Sequence, residues 1–137
     1  MILHLDTSAF LKLYLIESES DQVARWIADA SALTTSRVTY AEVCAGLAAG
    51  HRQKRLSEAE LFAACKDLDR FWGEFQLVEL NERAAGKLAL KHVIRGFDAV
   101  HLAAAVEVQA HAEVVFCSFD KRQAAAARAE RLKVLPA

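Results

Sequence analysis

Four acidic residues, far apart along the chain, stand where a carboxylate needs a partner. Asp98 lies in the apolar run RGFDAVHLAAA, and an ionised side chain there loses hydration unless a donor, a cation or a metal ion compensates. Asp6 ends the apolar stretch LHLD, and Asp120 ends VVFCSFD. Glu42 shares its predicted helix face with alanine and glycine, where a solvent-facing side would carry charged residues. Residues of this type in this setting are candidate ligands for a hard cation.

Each acid also has a purely structural interpretation. Asp6 and Asp120 both stand where a strand ends and a helix begins, so either could be an N-cap. Thr39 and Glu42 have the spacing of a capping box. Asp98 falls in the first turn of its predicted helix, where the helix dipole favours an anion. Structural roles alone would require a separate explanation for each acid.

Convergence on one site explains all four acids together. Carboxylates about 4 Å apart repel by roughly 4 kcal/mol per pair at an effective dielectric near 20, so such a cluster must take up protons or a cation. Oxygen ligands without thiolates suit Mg²⁺ or Mn²⁺ and not structural zinc, and such ions catalyse phosphoryl transfer. Hydroxyls that could orient a water or a phosphate oxygen, or simply cap helices, belong to Thr7, Ser8 and Ser118.

The hydrophobic pattern predicts an alternation of strands and helices that would bring these residues together. Because the strands are separated by helices, we expect parallel pairing, a helix-sheet-helix sandwich and a site at the carboxyl ends of the strands, where strand order reverses. Predicted strands cover residues 2–6, 32–35, 76–80, 114–117 and 132–134. Predicted helices cover 9–17, 20–30, 39–49, 58–75, 82–92 and 97–110, with a further one after Asp120. Ser57 and Glu60 have the spacing of a capping box at the start of the helix over 58–75, and Asn81 is the predicted cap of the helix over 82–92.

Composition limits the class of protein. A length of 137 residues points to one domain, residues 1–137, with a substantial core. The net charge of -1 means that any nucleic-acid binding must use local patches of cations. The three dispersed cysteines favour reduced thiols, and no secretion signal or membrane span is evident, so we expect a cytoplasmic protein. Cations close in sequence to the acids, which could grip phosphates, are Arg37, Arg95, Lys121 and Arg122.

Two histidines accompany the acids and have structural interpretations of their own. His101 follows Asp98 by three residues and could contact a ligand, but its helix is so apolar that a hydrogen-bonded core histidine is the favoured interpretation. His4 shares a strand face with Asp6, and a structural role is again favoured.

The segments LDTSAFLKLY, TYAEV, RGFDAVHLAAA and SFD, in this order, resemble the PIN-domain ribonucleases, and most closely their VapC-type toxins. The resemblance implies a PIN-like sheet flanked by helices and a Mg²⁺- or Mn²⁺-dependent endoribonuclease that cuts single-stranded RNA. It maps the acidic site onto Asp6, Glu42, Asp98 and Asp120, with supporting hydroxyls at Ser8 and Ser118. At the position of Ser118 many members carry threonine. It further implies a homodimer, a cognate antitoxin as inhibitor, and contact with DNA only through that antitoxin.

Two alternatives stay open beside the toxin hypothesis. The first is a catalytically silent PIN-like module that acts in an antitoxin and DNA complex, although the intact acids argue against silence. The second is a metal-dependent phosphatase, since an aspartate after the first strand is where such enzymes keep a nucleophile. Asp6-Thr7-Ser8 lacks the acid two residues later that one large phosphatase class requires.

Overall fold

A five-stranded sheet with seven helices forms the molecule, and the computed structural model describes all 137 residues. The strands are β1 (Ile2–Leu5), β2 (Ala32–Ser36), β3 (Phe75–Val78), β4 (Val114–Cys117) and β5 (Lys133–Leu135). The helices are α1 (Thr7–Leu11), α2 (Ser20–Asp29), α3 (Thr39–Arg52), α4 (Glu58–Trp72), α5 (Glu82–His92), α6 (Gly96–Gln109) and α7 (Lys121–Ala129). None of these helices is long and apolar enough to span a membrane.

The sheet is entirely parallel, which confirms the predicted fold class. Its strand order is β3-β2-β1-β4-β5, so the chain builds outward from β1 to β3 and then returns to place β4 on the other side of β1. Strand order therefore reverses between β1 and β4. In open parallel sheets the crevice at such a reversal, beyond the carboxyl ends of the strands, is the usual place for a binding site.

Alternating side chains of β1 supply both faces of the sheet, which gives the three layers. Leu3 and Leu5, both buried, join Phe10, Val43 and other side chains from α1, α3 and α4 on one face. On the other face His4 stacks against Phe116, whose cluster includes buried residues of α6 and α7. Because both faces are covered, the central strands β1 and β4 are nearly continuous apolar runs.

Several helix boundaries follow the predicted capping chemistry. Ser57 accepts a hydrogen bond from the Glu60 amide while the Glu60 side chain accepts one from the Ser57 amide, so the predicted capping box at α4 is confirmed. Asn81 caps α5 by accepting from the Ala84 amide, which is also as predicted.

Three predicted boundaries were wrong. The first helix ends at Leu11 and does not continue to Glu17, because the apolar side chains after it pack against the core from turns. α3 runs on through Arg52, and Lys54 with a φ of 62° then turns the chain. Phe75 repeats the helical spacing of α4 but belongs to β3, since that helix stops at Trp72.

Close packing of α1 against α3 sets the distance between the residues that the two helices carry. A β-carbon at Gly46 would lie 2.6 Å from Leu11 Cδ1, and one at Gly50 would lie 2.7 Å from Leu15 Cδ2. A larger residue at either position would force the leucine side chain to move. The start of α1 and the start of α3 are thereby held side by side, which places Thr7 next to Glu42.

Candidate active site

All four predicted acids line one small cavity at the carboxyl edge of the sheet. Asp6 directly follows β1 and Asp120 follows β4, so the two flank the point where strand order reverses. Glu42 comes from the first turn of α3 and Asp98 from the first turn of α6. The cavity, here called the acid cavity, has a volume of about 230 Å³, and its walls also include Thr7, Ser8, Arg95 and His101.

Asp6 is the buried member of the set, with 2% of its surface exposed. Its Oδ1 accepts from the Ala9 amide at 2.9 Å and from Ser8 Oγ at 2.7 Å, while Oδ2 accepts from Ser118 Oγ at 2.6 Å. Burial raises the pKa of Asp6 above its ordinary value even against these three donors. Asp6 is therefore an N-cap of α1 as well as a wall of the cavity, so the two interpretations of this residue are compatible.

Two serines tie the ends of β1 and β4 together around Asp6. Ser118 Oγ donates to Asp6 and accepts from the Asp120 amide at 3.1 Å. Ser8 Oγ also donates to Asp6 and accepts from the Phe119 amide at 2.9 Å. Each hydroxyl thus uses its donor on the carboxylate and its acceptor on the neighbouring backbone, which fixes the position of Asp6.

Glu42 faces the cavity and is held by two side chains from other helices. Its Oε1 accepts from Thr7 Oγ1 at 2.6 Å and lies 2.5 Å from His101 Nε2. Partial burial pushes the pKa of Glu42 upward, but the bonds from His101 and Thr7 outweigh it, so the pKa lies below its ordinary value. The predicted capping box was wrong, because Thr39 Oγ1 accepts from Thr35 and Glu42 turns to His101 instead.

Asp98 and Asp120 lie at the mouth of the cavity and share one cation. Arg95 Nε lies 2.9 Å from Asp98 Oδ2, and Arg95 Nη2 lies 3.4 Å from Asp120 Oδ2. The Arg95 side chain is 78% exposed, against 16% for Asp98 and 29% for Asp120. Asp120 also caps α7 through the Gln123 amide, so its cap interpretation holds beside its place in the cavity.

The donor chemistry of the acid cavity fits a hard divalent ion. Its acidic walls offer carboxylate oxygens and no thiolate, which suits Mg²⁺ or Mn²⁺. As the side chains are placed, no three acidic, histidine or cysteine groups are close enough together to hold an ion. The carboxylates are instead held by hydroxyls, amides and the Arg95 guanidinium. Binding an ion would require Asp98 and Asp120 to turn from Arg95 towards it.

The four predicted phosphate-binding cations do not all lie at the acid cavity. Arg95 is the one of the four that lines the acid cavity. Lys121 and Arg122 are exposed at the start of α7, directly after Asp120. Arg37 follows β2 at the same edge of the sheet, where its guanidinium pairs with Glu79 at 2.6 Å.

Sequence reasoning underrated two residues. His101 is buried as expected, yet its Nε2 reaches Glu42, which comes from another helix and left no local signal. Gln123 is 2% exposed and donates from Nε2 to the Asp98 carbonyl at 3.0 Å, which links α7 to α6. Gln123 is the one uncharged polar side chain of α7, whose other residues are alanine, lysine and arginine, and this was an available signal. His4 bonds through Nδ1 to Thr34 Oγ1 at 2.9 Å inside the core.

Residues 3–129 match the PIN domain family. The chain belongs to the PIN-domain family. It is 39% identical over 139 aligned residues to Ribonuclease VapC45 of Mycobacterium tuberculosis (strain CDC 1551 / Oshkosh), an alignment that covers 99% of this chain and 96% of the relative. The resemblance to VapC-type PIN-domain proteins is therefore confirmed.

Solved structures share the PIN-domain fold at low sequence identity. PAE2754 from Pyrobaculum aerophilum superposes with a TM-score of 0.70 at 18% identity, over 98% of this chain and 83% of that one. A toxin-antitoxin complex from Klebsiella pneumoniae gives a TM-score of 0.60 at 17% identity, over 88% of each chain. These likenesses confirm the fold that the residue pattern predicted.

Proposed function

We propose that this PIN-domain chain is a divalent-metal-dependent endoribonuclease that cleaves single-stranded or loop RNA, and that it is the toxin of a type II toxin-antitoxin pair. The observation that carries the proposal is the convergence of Asp6, Glu42, Asp98 and Asp120 on one cavity. The 39% identity to Ribonuclease VapC45 over nearly the whole chain supports the same activity. Intact acids in one cavity also favour an active enzyme over a silent PIN-like module.

The four carboxylates are the groups that would hold Mg²⁺ or Mn²⁺. A bound ion supplies a water of lowered pKa and neutralises charge on the leaving oxygen of a phosphodiester. Ser8 and Ser118 keep the Asp6 carboxylate fixed by donating to its two oxygens. This arrangement holds the most buried of the four carboxylates in place before substrate arrives, which is what preorganised catalysis needs.

The two hydrogen-bond partners of Glu42 hold one of its carboxylate oxygens and leave the other available. Thr7 and His101 both contact Oε1, which leaves Oε2 without a protein partner. Because these bonds hold the pKa of Glu42 below its ordinary value, the residue is an anion at neutral pH. In the proposed mechanism Glu42 contributes charge to the metal site and orients the attacking water through its free oxygen.

Arg95 is the cation best placed to meet the scissile phosphate. Its exposed guanidinium lies at the mouth of the acid cavity, within reach of Asp98 and Asp120. We propose that it exchanges these carboxylates for phosphate oxygens when RNA binds, since a guanidinium fits phosphate as well as carboxylate. Lys121, Arg122 and Arg37 would extend the phosphate contacts along the same edge of the sheet.

The proposed partners follow from the toxin assignment. The likeness in fold to a toxin-antitoxin complex from Klebsiella pneumoniae supports a cognate antitoxin as partner. We propose that residues 1–137 act as one domain within a cytoplasmic homodimer, and that DNA is contacted only through the antitoxin. The three free cysteines are compatible with a reducing compartment.

The decisive experiment is RNA cleavage by the purified chain after its antitoxin has been removed. We expect cleavage of single-stranded RNA with Mg²⁺ or Mn²⁺, none with EDTA, and a loss of at least a hundredfold in Asp98→Asn. Asp29→Asn, an exposed change at the end of α2, is the matched control and should retain full activity. Folded protein that binds RNA but cuts none with either ion would contradict the proposal. Hydrolysis of a phosphomonoester alone would favour a phosphatase.

A further inference from the structure

A second cavity adjoins the acid cavity and has no role in the chemistry described so far. It lies between α5 and α6, has a volume of about 590 Å³, and shares Glu42, Arg95 and Asp98 with the acid cavity. The remaining walls include Leu80, Glu82, Gly86 and Phe97. We refer to this space as the side cavity. Because the two cavities share three walls, a chain whose phosphate lies at the acids can extend directly into the side cavity.

An exposed aromatic ring stands beside a floor of small side chains in the side cavity. Phe97 is 60% exposed, although it directly precedes the buried core of α6. Ala85, Gly86 and Ala89 of α5 face the same space, and a β-carbon at Gly86 would meet nothing within 4 Å. An accessible aromatic face over an open floor is the form of a stacking platform for a flat ring.

The charges around the side cavity match a nucleotide. Arg95, with its guanidinium 78% exposed, stands between the two cavities and can meet a phosphate. Glu82, in the first turn of α5, offers a carboxylate from the wall. A carboxylate accepts hydrogen bonds from the exocyclic amino groups of bases, as acidic side chains do with cytosine.

We propose that the side cavity binds one base of the RNA substrate, stacked on Phe97, with its phosphate at Arg95 and its amino group at Glu82. The inference rests on the proposed ribonuclease function and deepens it. It makes Phe97 and Glu82 specificity-determining residues. Adenine, cytosine and guanine carry an amino group that Glu82 can accept from, whereas uracil does not, so the site favours the first three.

A second copy of this chain is the competing occupant. Leu90 and Val93 are 85% and 82% exposed at the carboxyl end of α5, and an interface between copies would be expected to cover them. Neither residue lines the side cavity. The continuity of the cavity with the acids, and the cation between them, favour the base as occupant of the cavity itself.

Binding of short RNA in EDTA tests the base site separately from cleavage. The probes are fluorescently labelled hexamers of adenylate, cytidylate and uridylate, read by anisotropy with the wild-type protein and its variants. We expect Phe97→Ser to weaken binding of all three about tenfold, as loss of one stacking side chain does. Gly86→Leu, which fills the cavity from its floor, should weaken binding equally while its melting temperature is maintained. Glu82→Gln should reduce the preference for cytidylate over uridylate.

Phe62→Ser is the matched control, since it removes an exposed phenylalanine side chain of α4 that lies outside the side cavity. It should bind all three hexamers as the wild type does. If the wild-type protein binds and cuts RNA, and Phe97→Ser and Gly86→Leu both bind it with wild-type affinity, the base site is overturned while the proposed function stands. If Phe97→Ser has a lower molar mass than the wild type by light scattering, Phe97 lies in an interface between two copies, and the base site is overturned as well. Absence of RNA binding and cleavage in the wild type would instead overturn the proposed function.

Discussion

Replacing Asp6 by asparagine tests whether Asp6 is a metal ligand or only a helix cap. The buried Asp6 carboxylate accepts from Ala9, Ser8 and Ser118, yet burial still raises its pKa. Asparagine caps helices as well as aspartate does, so the bond from Ala9 survives. The amide nitrogen that replaces Oδ2 cannot accept from Ser118, so this hydroxyl loses its acceptor and must turn to accept from the amide instead. We expect this change to cost about 1 kcal/mol and removal of the buried charge to offset it. We therefore expect the free energy of unfolding of Asp6→Asn in EDTA to lie within about 1 kcal/mol of wild type.

Asp6→Ala is the matched comparison, because it removes the acceptor altogether. Loss of the cap costs about 1 kcal/mol, and leaving the buried Ser118 hydroxyl without its acceptor costs about 1–3 kcal/mol more. The expected total of about 3 kcal/mol corresponds to a fall in melting temperature of roughly 12 °C for a chain of this size. Urea unfolding and thermal melts in EDTA measure both variants.

Metal titration completes the test of Asp6. A ligand present at a hundred times its dissociation constant stabilises a protein by about 2.7 kcal/mol. Mn²⁺ should therefore raise the melting temperature of the wild type and leave that of Asp6→Asn nearly unchanged, while RNA cleavage is lost in the variant. Equal losses of stability in Asp6→Asn and Asp6→Ala, or equal stabilisation of wild type and Asp6→Asn by Mn²⁺, would refute the reasoning.

Three further variants test the surroundings of the acids. Ser118→Ala removes the 2.6 Å bond to Asp6, so we expect the free energy of unfolding in urea to fall by about 2 kcal/mol and cleavage to be reduced. Its control is Ser57→Ala at an exposed helix cap, which should lower the free energy of unfolding by only about 1 kcal/mol and leave activity unchanged. Burial, and secondarily the charge of His101, lowers the pKa of His4 from 6.5 to about 3, so the unfolded chain binds more protons than the folded one between these values. The free energy of unfolding should therefore fall by about 1.4 kcal/mol for each pH unit below 6.5, which is roughly 3 kcal/mol at pH 4. In His4→Asn the free energy of unfolding should depend less on pH. Arg95→Gln should bind Mn²⁺ several-fold more tightly by calorimetry, because the guanidinium no longer competes for the carboxylates, and it should bind RNA more weakly, because a phosphate contact is lost. Unchanged affinities for both would show that Arg95 is not part of the site.

The fold was predictable because its signals are local. The buried central strands β1 and β4 are short apolar runs, and the caps at Ser57 and Asn81 mark helix starts in the sequence itself. The failures have the same origin. Periodicity continued past Leu11 and into Phe75, where packing against the sheet, and not the pattern of apolar residues, decides whether the backbone is a helix.

The candidate site was predictable in its acids and not in their partners. Asp6, Glu42, Asp98 and Asp120 stood out because each is next to apolar or small residues in the sequence, and the structure places all four on one cavity. The pairing of His101 with Glu42 depends on how α3 and α6 pack, and residues 59 positions apart leave no local pattern. The bridge from Arg95 to Asp120 likewise depends on α6 and α7 meeting at the sheet edge.

The measurement that tests the central claim most directly is the position of Mn²⁺ in crystals of the antitoxin-free protein, located by anomalous diffraction. The account predicts a peak inside the acid cavity, with oxygens from at least two of Asp6, Glu42, Asp98 and Asp120 at about 2.2 Å from the ion. A Mn²⁺ ion bound only elsewhere, in protein that cleaves RNA with Mn²⁺, would contradict it.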